Sequence, residues 1–215
     1  MSDVITPEFI TINPDENANQ DNYKLIIGSV VPRPIAFVST LSKDGQLNLA
    51  PFSFYTGVCS NPPTILFCPM VRGSDGLKKD TLLNIEETGE FVVNVVSEAI
   101  VEQMNRTAAE FPRHVNEFEE AGLTPAPSCV IKPPRVLESA LSMECKLQQV
   151  VYVGDGGIGS GSVVLGTVVR FHVRKDLYQS GRIDTLALKP VARLAGSAYC
   201  PVRDVFEVQR PGAKA

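Results

Sequence analysis

One short segment of this 215-residue chain carries the residue types that bind phosphate. Lys78, Lys79, Asp80 and Thr81 follow one another where the pattern predicts the start of a helix. A lysine ammonium, a threonine hydroxyl and the free N–H groups of a helix N-terminus together suit a phosphate group. A solvent-exposed turn before a capped helix has the same residue pattern. The segment is therefore a candidate phosphate site, and the residues alone leave both interpretations open.

A second group of candidate residues lies on two predicted strands. Ser39 and Thr40 end the first strand with adjacent hydroxyl groups, which suit a sugar-like chain or a phosphate. On the next strand, Asn48, Ser53 and the backbone of residues 50–52 offer hydrogen-bond donors and acceptors to a flat heterocycle. An ordinary polar strand end explains these residues equally well.

Residues 154–159 (GDGGIG) match the G-x-G-x-x-G pattern of dinucleotide-binding loops. That pattern binds pyrophosphate because a helix begins at the loop and presents its N-terminus to the ligand. Here the following residues, 160–169, predict a strand instead of a helix. We interpret the motif as the tip of a β-hairpin that has no role in binding nucleotides.

Cysteine and histidine usage bears on metal and redox chemistry. The five cysteines are odd in number, scattered and never in C-x-x-C spacing, which favours free thiols in a reducing cytosol and disfavours zinc. The two histidines, His114 and His172, are too few for a His-rich metal centre, although counting leaves a Cys–His pair open. No metal site and no catalytic dyad are predicted.

The composition excludes several classes of protein. Hydrophobic residues make up 44% of the chain and charged residues 20%, which fits one folded domain and not a disordered chain. A net charge of −4 without long basic runs argues against binding to nucleic acid or to an anionic membrane. The apolar stretches are too short to span a bilayer, and the acidic N-terminus differs from a secretory signal. A cytoplasmic location is therefore predicted.

The elements that must position these residues are mostly strands. A turn with an Asp-Gly pair at residues 42–45 predicts a hairpin, and five prolines at 111–134 predict a long excursion with one helical turn. Strands are predicted at residues 35–40, 47–54, 64–68, 91–96, 143–153 and 163–173, and helices at 22–27, 80–88 (with Asp80 as N-cap), 97–109 and 117–121. The pattern favours a mainly β fold, an antiparallel barrel with a few appended α-helices.

Longer sequence runs resemble a known family. The runs are RPIAFVSTLSKDGQLNLAPFSFYTGVCSNPPTILFC, KKDTLLNIEETGEFVVNVV, EFEEAGLT and RLAGSAY. Together they are similar to the flavin reductase-like proteins with an FMN-binding split β-barrel of Greek-key type, and most similar to the flavoredoxin-type branch. The resemblance covers residues 22–199. It implies one domain at residues 22–205, with an N-terminal arm at 1–21 and a C-terminal tail at 206–215.

The resemblance also implies a cofactor site. It implies a homodimer that holds non-covalent FMN near the subunit interface. Ser39 and Thr40 would face the ribityl chain or phosphate, and Lys79, Asp80 and Thr81 would match the phosphate-side motif. The remaining positions transferred by the resemblance are Asn48, Ala50, Pro51 and Ser53 along the ring, Cys59 and Ser60 on the next strand, and Arg33, Arg193 and Tyr199.

The activity implied by the resemblance is that of an NAD(P)H-dependent flavin reductase. NADH or NADPH would donate a hydride to the flavin, and free flavin, oxygen or a redox partner protein would receive the electrons. Since the cofactor would supply the chemistry, no side chain needs to act as acid or base. Two alternatives remain open, namely a flavoredoxin-like electron carrier between proteins and an FMN-binding barrel without catalytic activity.

Overall fold

The structure, a computed structural model, describes residues 8–212 and is dominated by β-strands. Two single turns of 3-10 helix, Pro14–Glu16 and Lys175–Leu177, accompany the main elements. The elements in chain order are α1 (Asn19–Ser29), β1 (Ala36–Leu41), β2 (Leu47–Phe52), β3 (Tyr55–Ser60), β4 (Pro63–Phe67), α2 (Asp80–Thr88), β5 (Glu90–Val95), α3 (Val101–Arg106), α4 (Glu117–Ala121), β6 (Pro125–Ala126), β7 (Arg135–Val136), β8 (Leu141–Val153), β9 (Gly161–Val173), β10 (Tyr178–Gln179), β11 (Arg182–Ile183), α5 (Thr185–Leu188), β12 (Val191–Arg193) and β13 (Tyr199–Pro201).

The main sheet must curl into a barrel because of how its edges are connected. It has seven antiparallel strands in the order β2-β1-β5-β8-β9-β4-β3, so β2 and β3 are its two edges. In a flat sheet, six strand spacings would separate these edges by about 29 Å. Only Ser53 and Phe54 join β2 to β3, and so short a link spans roughly 10 Å. The predicted mainly β, antiparallel split barrel is confirmed.

Aromatic side chains fill the interior of the barrel. The ring centroids of Phe52 and Phe67 are 5.0 Å apart, and those of Phe67 and Phe91 are 5.5 Å apart. Gly166 on β9 lies against the Phe91 ring so closely that a Cβ atom at this position would overlap it. Glycine is therefore required at this point of β9, because interiors at native packing density leave no room for an added methyl group.

A second apolar core lies on the outer side of β1 and β2. Side chains alternate along a strand, so Ala36 and Val38 of β1 face the barrel interior whereas Phe37 faces outward. Helices α3 and α4 cover this outer side and contribute Met104 and Phe118 to the same core. Because β1 is covered on both sides, almost all of its residues are buried. The same packing holds the two short helices beside β2.

The proline-rich excursion is fastened to the barrel by one buried carboxylate. Glu144 of β8 accepts hydrogen bonds from the backbone N–H groups of Cys129 (2.6 Å), Val130 (2.7 Å) and Ile131 (3.2 Å), and it lies 2.6 Å from Nε2 of His172. Burial acts to raise the pKa of Glu144, but these hydrogen bonds outweigh burial and leave its pKa below the ordinary value. The predicted excursion is thus an ordered layer over the outer side of the sheet.

The start of α2 differs in one detail from the prediction. The helix spans the predicted residues and ends before Gly89, which adopts the left-handed conformation with φ of 71°. Lys79, and not Asp80, is the N-cap residue, and no side chain caps the helix. The predicted capping role of Asp80 is wrong, because its carboxylate instead lies 3.0 Å from a guanidinium nitrogen of Arg113.

Two other helices have different limits from those predicted. Helix α3 begins only at Val101, because Ser97, its predicted cap, forms a β-bridge with Pro190. Helix α1 begins at Asn19, three residues before the predicted helix and inside the predicted N-terminal arm. Residues 1–7 of that arm and 213–215 of the tail lie outside the described residues. Between residues 8 and 212, no helix has the length and apolar character needed to cross a bilayer.

The glycine motif forms the turn of a long hairpin, as predicted. Strands β8 and β9 pair along their whole length, and residues 154–160 connect them. Gly154, Gly156 and Gly159 have positive φ angles of 94°, 90° and 99°, which glycine adopts without strain. No helix follows this turn, so it lacks the N-terminal N–H groups that bind pyrophosphate in dinucleotide-binding loops.

Candidate functional site

Two neighbouring cavities gather most of the predicted site residues, and we call them together the cleft. The first has a volume of about 80 Å³ and the second about 260 Å³, and Pro51 and Ala108 line both. The first lies beside the start of α2, and the second lies between α1, β2 and the loop that joins β12 to β13. The predicted residues that line the first cavity are Asn48, Ala50, Pro51, Lys79, Asp80 and Thr81, and those that line the second are Arg33, Pro51, Ser53, Arg193 and Tyr199.

The side-chain amide of Asn48 connects three elements at the first cavity. Its Oδ1 accepts hydrogen bonds from Thr81 (2.6 Å) and Thr40 (3.3 Å), and its Nδ2 donates to Glu117 (2.8 Å). Thr40 pairs directly with Asn48 across β1 and β2, so both side chains lie on one side of the sheet. Thr81 lies in the first turn of α2 and Glu117 begins α4. These hydrogen bonds hold the helix N-terminus against β2.

Glu117 is a buried carboxyl group in the wall of the first cavity. Besides Asn48, the backbone N–H of Leu49 donates to it at 3.1 Å. Burial raises the pKa of Glu117 above its ordinary value, and the negative charge of Asp80 acts in the same direction. The hydrogen bonds from the backbone and from Asn48 oppose this rise without cancelling it.

Three cationic side chains surround the start of α2. Arg113 lies 3.0 Å and Arg72 lies 3.5 Å from the two oxygens of Asp80, and Lys79 lies 3.7 Å from Glu110. Nε of Arg72 is buried and makes no hydrogen bond with the described residues, although a carboxylate oxygen of Asp75 is 3.3 Å away.

Arg72 lines the first cavity and supplies a cation there. This cavity combines Arg72, Lys79, the backbone of Thr81 and the N-terminus of a nine-residue helix. The donor set suits a dianionic phosphate ester, and the residues present therefore fit a phosphate-bearing cofactor.

The second cavity is held in shape by Arg33. Its guanidinium donates to the carbonyl oxygens of Ile27 and Val30 (both 2.7 Å) and of Leu194 (2.9 Å), and its Nε lies 3.3 Å from Ser53 Oγ. Through these contacts Arg33 connects the end of α1 to the loop between β12 and β13. At the two ends of this loop the Arg193 guanidinium lies 4.5 Å above the Tyr199 ring, and both side chains line the cavity.

The structure does not bring Ser39, Cys59 and Ser60 into the cleft. Ser39 and Thr40 are adjacent on β1 and therefore point to opposite sides of the sheet. Thr40 joins the hydrogen bonds around Asn48, whereas Ser39 donates to the carbonyl oxygen of Pro134 at 2.5 Å and is fully buried. Cys59 and Ser60 are exposed on β3, the other edge of the sheet. Within one chain, these three residues are not part of the cleft.

Three residues of the site were not predicted from the sequence. Glu117 lies in a segment used for the family resemblance, but nothing in its spacing marked it as a cavity residue. Arg72 precedes a glycine-rich turn and Arg113 lies among the prolines of the excursion, so neither belongs to a pattern that indicates binding. The one sequence signal for Arg72 and Arg113 is that both are basic residues within long loops.

The sequence matches the flavin reductase like domain over residues 27–187, which is most of the chain. The chain belongs to the flavin reductase-like family. The split barrel described above is the fold of solved flavin reductases in this family.

Solved structures agree with this assignment. The chain is similar to nitrilotriacetate monooxygenase component B from Bacillus cereus, with 42% identity and a TM-score of 0.90 over 94% of this chain and 100% of that one. It is similar to the 2-nitrobenzoate 2-nitroreductase NbaA of Pseudomonas fluorescens, with 32% identity and a TM-score of 0.85 over 96% and 98% of the two chains. It shares its fold with the flavoredoxin of Desulfovibrio vulgaris (Miyazaki F), at 22% identity and a TM-score of 0.72 over 86% and 94% of the two chains.

The raised pKa of Glu117 gives a prediction about stability and pH. A carboxyl group whose folded pKa lies above its unfolded pKa stabilises the fold below the unfolded pKa, and this contribution is lost as pH rises through the folded pKa. Glu117→Gln removes the ionisation. We therefore expect the free energy of unfolding of the variant, relative to the natural protein, to increase as pH rises above about 4.3, the ordinary glutamate pKa. Urea unfolding at several pH values measures this difference.

The matched control is Glu120→Gln, which makes the same change at an exposed position of α4. The free energy of unfolding of this variant should differ from that of the natural protein by the same amount over the whole pH range. A relative stability of Glu117→Gln that falls with rising pH would mean that the hydrogen bonds to the Glu117 carboxylate outweigh its burial, contrary to the prediction.

Proposed function

We propose that this protein binds FMN non-covalently in the cleft and acts as an NAD(P)H-dependent flavin reductase. The observation that carries the proposal is that Arg72, Lys79 and the N-terminus of α2 converge on one cavity. This arrangement suits a phosphate group and lies next to the edge strand β2. FMN differs from riboflavin by one phosphate group, so the arrangement favours FMN.

Separate parts of the cleft would hold the two ends of the cofactor. Arg72, Lys79 and the backbone of Thr81 would bind the phosphate, and the backbone of residues 50–53 would lie along the ring. Asn48 would keep these two parts at a fixed separation, since its amide joins β2 to α2. FMN, when bound, would supply the chemistry of hydride and electron transfer, and the residues of the cleft would bind it, orient it and exclude water.

The relatives support an oxidoreductase. One solved structure with 42% identity is a component of a monooxygenase, and another with 32% identity is a nitroreductase. We propose that free flavin or a redox partner protein receives the electrons from this chain. The five cysteines are free thiols, which is consistent with the reducing cytoplasm that we propose as its location.

A phosphate contact predicts unequal effects on two flavins. Lys79→Ala and Arg72→Gln should each raise the Kd for FMN about 10-fold or more, because a charge-assisted hydrogen bond contributes roughly 1.5–3 kcal/mol. The Kd for riboflavin should change less than about 2-fold, since riboflavin has no phosphate. Fluorescence titration of the natural protein and of each variant with both flavins measures these Kd values. Lys43→Ala, an exposed lysine in the β1–β2 turn, is the control, and equal losses for both flavins would place the phosphate elsewhere.

The electron donor is tested by turnover. Mixing the protein with FMN and either NADH or NADPH without oxygen should bleach the flavin absorbance as the nicotinamide absorbance falls, with one flavin reduced per nicotinamide oxidised. Arg72→Gln should slow the reaction at low FMN and recover at saturating FMN, because it weakens binding and leaves the hydride transfer unchanged.

Other outcomes of the turnover experiment contradict the proposal in distinct ways. FMN binding with slow NAD(P)H oxidation and fast exchange with a reduced ferredoxin-like protein would identify an electron carrier, as in the flavoredoxin alternative. FMN binding without any electron exchange would identify a non-catalytic barrel. Failure to bind FMN would reject the proposed cofactor.

We also propose that the active form is a homodimer. Helix α1 has no buried residue and exposes Tyr23 and Ile26, and the β8–β9 hairpin exposes Tyr152 and Ile158. Between these segments lies a largely apolar cavity of about 570 Å³. Apolar surface of this extent supports contact with a second copy.

Sedimentation should give twice the chain mass of 23.3 kDa. Ile158→Asp should shift the protein towards the single chain, whereas Leu137→Asp should not, although both side chains are 60% exposed. A natural protein that sediments as a single chain at micromolar concentration would contradict the dimer.

A further inference from the structure

Three side chains of metal-ligating types lie together outside the cleft. They are Cys129 in the excursion, Glu144 of β8 and His172 of β9, and one ligand atom from each lies within 4.8 Å of the other two. The three residues are far apart in sequence. None of them lines either cavity of the cleft, and the proposed flavin chemistry uses none of them.

The strand register brings the carboxylate and the imidazole together. Ser142 pairs with His172 and Glu144 pairs with Arg170, so Glu144 and His172 are diagonal neighbours on the same side of the β8–β9 hairpin. Diagonal neighbours lie within reach of long side chains. The observed separation of 2.6 Å between Glu144 Oε1 and His172 Nε2 shows that the two groups already face each other.

The carboxylate also positions the thiol. Glu144 Oε1 accepts a hydrogen bond of 2.6 Å from the backbone N–H of Cys129, and its other oxygen holds the next two amides of the excursion. The Cys129 side chain is therefore carried on a backbone that is fixed relative to Glu144. A thiol, a carboxylate and an imidazole converge without any need for the excursion to move.

Solvent can reach this cluster. Cys129 is exposed, the side chain of His172 is 19% exposed, and His172 also lines a surface groove of about 520 Å³. Glu144 is buried and fixed, so the two accessible side chains are the ones that can adjust around an ion.

We infer that Cys129, Glu144 and His172 bind one divalent transition-metal ion of the zinc type, with solvent in the fourth position. Zinc takes thiolate, imidazole and carboxylate ligands at about 2.3, 2.0 and 2.1 Å in tetrahedral geometry. Calcium and magnesium prefer oxygen ligands alone, which this mixed set does not offer. On binding, the thiol proton passes to the buffer and the sulfur bonds to the metal, while His172 Nε2 gives up its hydrogen bond to Glu144 and binds as neutral imidazole with its proton on Nδ1. The ion would fasten the excursion to the β8–β9 hairpin, on the outer side of the barrel.

Cobalt tests the site through its own spectrum. The complete protein, dialysed against a chelator and then freed of it, is titrated with Co²⁺ while visible absorbance is recorded at wavelengths longer than those of flavin. We expect bands typical of tetrahedral cobalt with a thiolate ligand, saturating at one equivalent, and we expect Zn²⁺ to displace them. Cys129→Ser and His172→Gln should each weaken binding at least about 10-fold.

Cys59→Ser is the matched control, because Cys59 is also an exposed cysteine but belongs to no such cluster within residues 8–212. It should bind Co²⁺ as the natural protein does. Unchanged thermal unfolding of metal-free Cys129→Ser shows that a loss of binding is not a loss of folding. The absence of tetrahedral bands in the natural protein, or equal binding by Cys129→Ser, would overturn the inference. Flavin binding plays no part in these outcomes.

Discussion

The side-chain amide of Asn48 is the contact on which the geometry of the cleft depends. It accepts from Thr81 at the start of α2 and donates to Glu117 at the start of α4, while its own strand forms the wall of the cleft. An amide is suited to this position because it offers both an acceptor and donors in one rigid plane. Replacing either function would leave a buried partner unsatisfied, which costs more than the hydrogen bond itself contributes. The helix N-terminus, its cations and the β2 backbone therefore keep one arrangement.

The two sides of β1 face different regions of the molecule. On the inner side, Thr40 takes part in the hydrogen bonds around Asn48, next to the cleft. On the outer side, Ser39 donates to the carbonyl oxygen of Pro134 in the excursion, and Asn94 of β5 accepts hydrogen bonds from the backbone N–H of Val136 and from the Ser142 hydroxyl. These buried polar groups are paired, as a stable interior requires. The cleft beside β2 and the Cys129 cluster on the β8–β9 hairpin are separate regions of the same sheet.

Local sequence patterns correctly predicted the elements that depend on local interactions. The Asp-Gly turn, the hairpin at residues 154–160 and the span of α2 follow from glycine conformations and side-chain periodicity, and the structure agrees with them. Ten of the fourteen residues supplied by the family resemblance line the cleft. Ser39 and Thr40 were predicted to face the same part of a ligand, but side chains alternate along a strand, so their hydroxyls lie on opposite sides of β1.

Other features depend on contacts that no local pattern describes. Arg72 reaches the cleft from the loop between β4 and α2, so only the folded chain brings it beside Lys79. Cys129, Glu144 and His172 come together through the register of β8 and β9 and the anchoring of the excursion. The absence of a C-x-x-C motif was a sound reason to expect no zinc site from spacing, but spacing cannot describe ligands supplied by separate strands.

The central claim is that the start of α2 binds the phosphate of FMN, and a crystal structure of the FMN complex tests it most directly. The account predicts the phosphate in contact with Arg72, Lys79 and the α2 N-terminus, with the ring along residues 50–53 of β2. Flavin seated instead in the apolar cavity between α1 and the β8–β9 turn, with no contact between its phosphate and Arg72 or Lys79, would contradict it.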